Sequence, residues 1–362
     1  MTLLFLIPHI AYCGAERVLS LLVNELSARN HNIYILTDPN KITYPIDNRV
    51  TIIDAYACEQ YRMRPLHKMS KLKRGWKALR YNLNQINPDY VISFMEMFIW
   101  QCLYFRHRYR IIISDHTSMT RNVSIRKGIE RHILPRFFYK YVVLTQSDKD
   151  YFKGKLKNIE VIGNPLTFEP ISKEEYMNLF PRRGNLLAVG SLDRWYVKGF
   201  DLLLKSFSLV VRQYPTVGLD IVGAGSSDNV RLLKGLAQQY GVSGNVRFLG
   251  FSTSVDVLMQ KYQVLVVSSR VEGFGMAITE AMSNGLPVVS FSLSGPKEII
   301  CSGKNGLLVD ANDYVQLANS VVRLMLDKQS RFSMGLEALD SVARFSLKNI
   351  VNKWEQLFNE GL

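Results

Sequence analysis

A chain of 362 residues, 47% apolar and 21% charged, is long enough for two folded domains and too apolar for disorder. Its four cysteines, Cys13, Cys58, Cys102 and Cys301, have neither CxxC spacing nor a histidine cluster, which disfavours a disulfide framework and a structural zinc site and suits a reducing cytosol. The net charge of +14 is concentrated, with 17 Lys and Arg against 4 Asp and Glu in residues 61–140, and no nucleic-acid reading motif stands beside it.

The opening stretch MTLLFLIPHIAYCGAERV lacks a basic leader and carries Pro8 and His9, so it reads as a first buried strand rather than a signal peptide. VISFMEMFIWQCLYF, interrupted by Glu96 and Gln101, is too short to span a bilayer. The first half alternates: LLFLIP, a helix over 16–29, NIYILTD, VTIIDA, a basic helix, YVISFM, YRIIISDH and YVVLTQ. In the basic helix Leu66, Met69, Leu72, Trp76, Leu79, Leu83 and Ile86 step by three or four residues. Lys68, Lys71, Lys73, Arg74, Lys77 and Arg80 fill the gaps, so this is either a core-packed helix with a solvated basic face or, the sharper reading, a surface drawn to an anionic membrane. In LTQSDKDYF the predicted cap is Ser147, with Asp150 at the third helical position, in preference to a metal-binding carboxylate pair.

GNPLTFEPISKEE, residues 163–175, supplies the glycine and prolines of a seam between domains. The pattern then restarts with NLLAVGSL, a helix over 200–212, GLDIVGAG, a helix over 228–240, VRFLGF, VLVVSS and PVVSF. Two open α/β Rossmann-like domains are therefore predicted, 1–165 and 166–345, followed by a last helix within 346–362. Ligands of such sheets sit at the carboxyl ends of the strands and in clefts between domains.

The candidate residues are those at strand ends. YCGAER places Gly14 at a small turn entering a helix, and YRIIISDHTS places Asp115 and His116 after a buried strand, where the histidine can hydrogen-bond a hydroxyl or move a proton. SLDRWYVKGFD offers Arg194 and Lys198 to neutralise a diphosphate, Lys198 being the better choice. In GLDIVGAGSSD, Gly223 and Gly225 lack the third glycine of a dinucleotide fingerprint, which discounts a nicotinamide site. In SSRVEGFGMAITEAMSNGLPVV, Gly273 and Gly275 allow tight geometry before a helix begun by Met276, with Glu280 placed in its first turn and Gly285 at its end. Helix N–H groups attract an anion whereas Glu272 and Glu280 repel one, unless each carboxylate accepts hydrogen bonds from hydroxyls, as a sugar and a ribose would supply.

Together these segments resemble retaining glycosyltransferases of the GT-B fold in the large family four, which includes many bacterial surface-polysaccharide and lipopolysaccharide transferases. The resemblance covers nearly the whole chain and is most specific in EGFGMAITEAMSNGLPVV, where Glu272 and Glu280 match the paired-glutamate motif, followed by GPKEII and NGLLV. It implies two Rossmann-like domains across a cleft and a last helix crossing back to the first domain. Glu272 would hold the transferred sugar, Glu280 the ribose hydroxyls, and the backbone from Gly273 and Phe274 through Gly275, Met276 and Ala277 the diphosphate. Lys198 matches the phosphate-binding lysine, His116 the strand-end histidine near the donor sugar and Gly14 the first-strand loop; Arg194 and Phe251 complete the donor set. Ser191 stands where relatives usually have an arginine, which Arg194 would replace, and Cys13 where they often have a second glycine.

The implied reaction moves a sugar from a nucleoside-diphosphate sugar, read as a UDP-sugar, to a lipid-linked oligosaccharide or lipopolysaccharide precursor, with no metal or other cofactor. The enzyme would be cytoplasmic and peripheral on the inner membrane face, with an anionic bilayer and no nucleic acid among its partners. A sugar-nucleotide epimerase of the same architecture, or a basic nucleic-acid binder, are the competing readings.

Overall fold

The computed structural model describes residues 1–11, 14–54, 69–95, 98–119, 124–182 and 186–360, with several side chains near the start of the helix Met69–Ile86 excepted. The chain divides into two compact units, Met1–Thr167 with Leu347–Leu362, and Phe168–Ser346. Each is a fully parallel sheet flanked by helices, built from short β-branched strands that suit burial on both faces.

The first unit orders seven strands β3-β2-β1-β4-β5-β6-β7: β1 Thr2–Leu6, β2 Asn32–Thr37, β3 Thr51–Asp54, β4 Tyr90–Phe94, β5 Arg110–Ser114, β6 Lys140–Val143 and β7 Ile159–Val161. The second orders six strands β10-β9-β8-β11-β12-β13: β8 Leu186–Val189, β9 Leu219–Val222, β10 Val246–Gly250, β11 Val264–Val267, β12 Val288–Phe291 and β13 Leu307–Val309. Each order reverses at its first strand, between β1 and β4 and between β8 and β11, which opens a crevice at the carboxyl ends. The helix Leu347–Asn359 packs with the first unit: Tyr90 Oη donates to the Phe358 carbonyl at 2.5 Å, and Glu355 meets Arg29 at 2.7 Å and His31 at 3.1 Å.

The amphipathic helix runs Met69–Ile86, with Leu79 and Leu83 buried and Arg80 exposed. Lys68 and the side chains of Lys71, Lys73, Arg74 and Lys77 lie outside the described residues. Among the described residues no helix is long and apolar enough to cross a membrane. One predicted cap is corrected. The N-cap is Thr145, not Ser147: Thr145 Oγ1 accepts from the Asp148 amide at 3.0 Å and donates to Asp148 Oδ2 at 2.7 Å, so Asp148, not Asp150, closes the box.

Arg131 is the largest buried side chain of the first unit. Its Nε donates to Asp115 Oδ2 at 2.8 Å and its Nη2 to the carbonyls of Thr117 and Ser118, while Tyr141 Oη and the Thr117 amide also donate to Asp115. This network fixes the loop that leaves β5. Removing one partner leaves a buried charge unmatched, so Arg131→Ala should lower unfolding stability by about 3–5 kcal/mol, against about 1 kcal/mol for Tyr141→Phe, both measured by chemical denaturation.

Candidate active site

The strand order dictates which loops meet. Because β8 and β11 are neighbours, the segments that follow them leave the sheet side by side at the reversal point of the second unit. The first carries Lys198 at the end of the helical turn Trp195–Lys198, and the second carries Glu272. Lys198 Nζ donates to Glu272 Oε2 at 2.8 Å, and Ser269 Oγ donates to the same oxygen at 3.1 Å. Both charged side chains are partly covered, Lys198 24% and Glu272 15% exposed.

A clasp beside this pair holds the two segments together. Arg270 grips both oxygens of Asp201 at 2.7 and 2.6 Å, donates to the Tyr196 carbonyl at 2.7 Å and lies 4.1 Å over the Tyr196 ring. Its amide donates to the Val197 carbonyl, and Ser268 Oγ donates to the Lys198 carbonyl at 3.1 Å. The hydrogen bonds it donates to Asp201 hold the Arg270 guanidinium above its ordinary pKa. Gly199 completes the approach: it has φ +65°, and a Cβ there would lie 1.8 Å from the Ser268 carbonyl oxygen.

Downstream of Glu272 the chain turns at Gly275, φ +110°, into the helix Met276–Ser283. Gly275 is the N-cap and offers no side-chain acceptor, so the amides of Met276 and Ala277 face outward from the first turn without an intrahelical partner. The helix ends as expected at Gly285, whose amide bonds Met282 while that of Leu286 bonds Ala281. Glu280 does not sit in the first turn as expected. Counted from Met276, Glu280 is the fifth helical residue, in the second turn, and is 9% exposed. Phe274 is buried edge-to-face against Phe345, which leaves only its backbone facing the loop's outer side, next to Gly273.

Two other expected residues, Arg194 and Phe251, are not among those that bond this pair. Arg194 ends a 3-10 turn, exposed and with no side-chain partner among the described residues. Phe251 follows the edge strand β10, two strands from the reversal point, with its ring 57% exposed. The GAG of β9 packs against the neighbouring turn: a Cβ on Gly223 would meet the Gly190 carbonyl at 1.8 Å and one on Gly225 the Leu192 Cβ at 2.5 Å. Those glycines serve loop packing, in keeping with their dismissal as a dinucleotide fingerprint. The sequence reading missed the Arg270, Asp201 and Tyr196 clasp; its available signal was an arginine two residues before the motif glutamate.

In the first unit Gly14 begins the helix Gly14–Ala28. His116 follows β5, with Nε2 3.0 Å from Ser114 Oγ and its ring tilted over Phe94 at 4.2 Å. Its Nδ1 is buried without a hydrogen bond, as is Asn164 Oδ1. Burial lowers the His116 pKa to about 4, against the opposing pull of Asp115 and Asn164, so the ring is neutral at physiological pH. Among the described residues no cluster of three or more His, Cys, Asp or Glu is placed to hold a metal ion.

The comparisons with known proteins agree with this fold. Residues 12–169 match the family described as Glycosyltransferase Family 4, and residues 178–339 match Glycosyl transferases group 1. Together with the two parallel sheets, these matches define a glycosyltransferase of the GT-B fold. The chain is similar to the amylovoran biosynthesis glycosyltransferase AmsD of Erwinia amylovora, 29% identical over 99% of both chains. It is 26% identical, over 99% of both chains, to a Campylobacter jejuni α-1,4-N-acetyl-D-galactosaminyltransferase whose name specifies an undecaprenol-diphosphate-linked GalNAc-GalNAc-diNAcBac acceptor. Among solved structures, sucrose-phosphate synthase from Thermosynechococcus elongatus superposes with a TM-score of 0.83 at 18% identity, covering 99% of this chain and 98% of the other. HepE of Anabaena, in complex with UDP and glucose, superposes with a TM-score of 0.79 at 19% identity and 99% coverage of both.

Two outcomes follow from the site. A folded-state pKa near 4 against about 6.5 unfolded means that His116 binds fewer protons when folded, so its stabilisation is complete above pH 6.5 and is lost as pH falls towards 4. Unfolding free energy should drop by up to about 3 kcal/mol over that window, and His116→Gln should flatten the drop in urea titrations at successive pH values. Gly199→Ala, which forces both a left-handed alanine and a backbone clash, should cost about 2–4 kcal/mol in the same assay and weaken nucleotide-sugar binding.

Proposed function

We propose that this glycosyltransferase moves a sugar from a UDP-sugar, with retention of anomeric configuration, onto a hydroxyl of a lipid-linked oligosaccharide or lipopolysaccharide precursor. The observation that carries the reading is the 2.8 Å contact of Lys198 with Glu272 beside the side-chain-free N-terminus of the helix Met276–Ser283. Lys198 and the first-turn amides would neutralise the departing diphosphate, the largest electrostatic demand in the transition state, so no divalent metal is called for. Glu272 would exchange its bond to Lys198 for sugar hydroxyls, and Glu280 would accept from the ribose. A phosphate oxygen of the leaving group then takes the acceptor proton on the same face of the sugar. Trapping a covalent glycosyl intermediate on Glu272 would overturn that route. The undecaprenol-linked acceptor and α-linked product in the name of the Campylobacter relative support both the acceptor class and retention from an α-linked donor.

With that acceptor class the enzyme would work peripherally on the inner face of the cytoplasmic membrane, where the basic amphipathic helix Met69–Ile86 would favour anionic lipid.

The test is a thermal-shift screen against UDP-, GDP-, ADP- and TDP-sugars with and without EDTA. One nucleotide class should raise Tm in an EDTA-insensitive way, and both Glu280→Ala and Lys198→Ala should abolish at least about nine-tenths of the affinity, a loss of about 1.4 kcal/mol or more. A shift that requires a divalent ion, or one that both variants retain, would overturn the assignment.

A further inference from the structure

The first unit turns an apolar and cationic face to solvent that no part of the donor site uses. The helix Ile99–Phe105 exposes Trp100 (39%) and Tyr104 (60%), and the helix Ile125–His132 opens on Ile125 (87%). Ile133 (44%) and Phe137 (46%) follow it across the turn Leu134–Phe137.

Side-chain contacts tie the two helices and the turn to one another. Trp100 Nε1 donates to Glu130 Oε1 at 2.5 Å, which ties the two helices together. Arg126 Nε donates to the same carboxylate oxygen at 2.9 Å. The Arg106 guanidinium lies 5.9 Å over the Phe137 ring, linking the end of the first helix to the turn, and Tyr104 meets Trp76 edge-to-face at 4.4 Å. Scattered surface hydrophobes are ordinary, whereas five on two bonded helices and the turn that follows, two of them tryptophan and tyrosine, mark a contact surface.

Charge selects the occupant. Among the described residues of 98–140 the only carboxylates are Asp115 and Glu130, and both are buried. Arg108, Arg126 and Arg136 are exposed around the patch. A second copy of this chain, itself carrying +14, would oppose cation to cation, whereas a bilayer with anionic headgroups complements both the arginines and the aromatic rings.

We propose that this face seats on an anionic bilayer, with Trp100, Tyr104, Phe137 and Ile125 at the boundary of headgroups and acyl chains and the arginines on lipid phosphate. The inference deepens the membrane part of the proposed function but does not depend on which sugar is transferred. It also differs from the attraction expected of the basic helix, because aromatic anchoring persists in salt whereas purely electrostatic attraction is screened.

The experiment uses the full chain and sedimentation with vesicles of phosphatidylcholine alone or mixed with phosphatidylglycerol, at low and high salt. Wild type should bind the mixed vesicles and keep a salt-resistant fraction. Trp100→Ala with Phe137→Ala should weaken binding by roughly tenfold or more, and Arg126→Glu with Arg136→Glu should remove the preference for anionic lipid. Trp100 and Arg126 both bond the buried Glu130, so their variants should lose some Tm, but all variants should keep the shift of Tm with nucleotide sugar, which separates failure of this inference from failure of the donor reading. Vesicle binding unchanged in both double variants would overturn the inference. So would a wild-type protein that ignores vesicles yet forms a dimer dissolved by the aromatic pair of substitutions.

Discussion

The contact on which the donor side depends is the adjacency of β8 and β11. Two parallel strands that sit next to each other but are distant in sequence send their loops out together, with nothing between them to cover the crevice. That brings a lysine from one loop to a glutamate from the other at 2.8 Å. Neither charge is fully solvated, and each satisfies the other. On the proposed function, a diphosphate arriving at Lys198 would compete for the same ammonium, and the glutamate released by that exchange would need new donors, which a sugar carries and an inorganic anion does not. The carboxylate would then act as a selectivity device, penalising any anion that arrives without hydroxyls.

This exchange works only if the lysine is held in place when its partner changes. The Arg270 clasp provides that hold through Asp201 and the backbone of Tyr196, and so does the backbone contact between Gly199 and Ser268. None of these groups includes Glu272, so the turn Trp195–Lys198 stays anchored whether or not the lysine is bonded to the glutamate. Such division between a fixed support and an exchangeable contact is what preorganisation of a charged site requires.

Much of the architecture was legible because both sheets are built of short β-branched runs, which have few alternative uses when glycine and helical periodicity flank them. The three-residue edge strands β7 and β13 were not, since three residues carry no pattern. Thr145 and Ser147 are equally good caps by composition; the choice fell to Thr145 because Asp148, buried under Met119, answers its hydroxyl. Glu280 was misplaced by part of a turn although the helix start at Met276 was read correctly, because 3.6 residues complete a turn and Glu280 is the fifth. The motif glutamates and Lys198 stood out as sequence, whereas Arg270 acquires meaning only from Asp201 and Tyr196, 69 and 74 residues upstream.

His116 shows how the structure narrows a role that the residue type leaves open. A histidine at a strand end can shuttle a proton or donate a hydrogen bond. A proton shuttle works best with a pKa near the working pH, and burial has moved this one to about 4. Its Nε2 already meets Ser114, and its ring is braced on Phe94. If the Ser114 hydroxyl donates, Nε2 is the acceptor and Nδ1 carries the hydrogen, directed into the environment shared with Asn164. A neutral imidazole fixed in this way on Ser114 and Phe94 is a hydrogen-bonding fixture, and a pKa this far below the working pH makes it a poor proton shuttle.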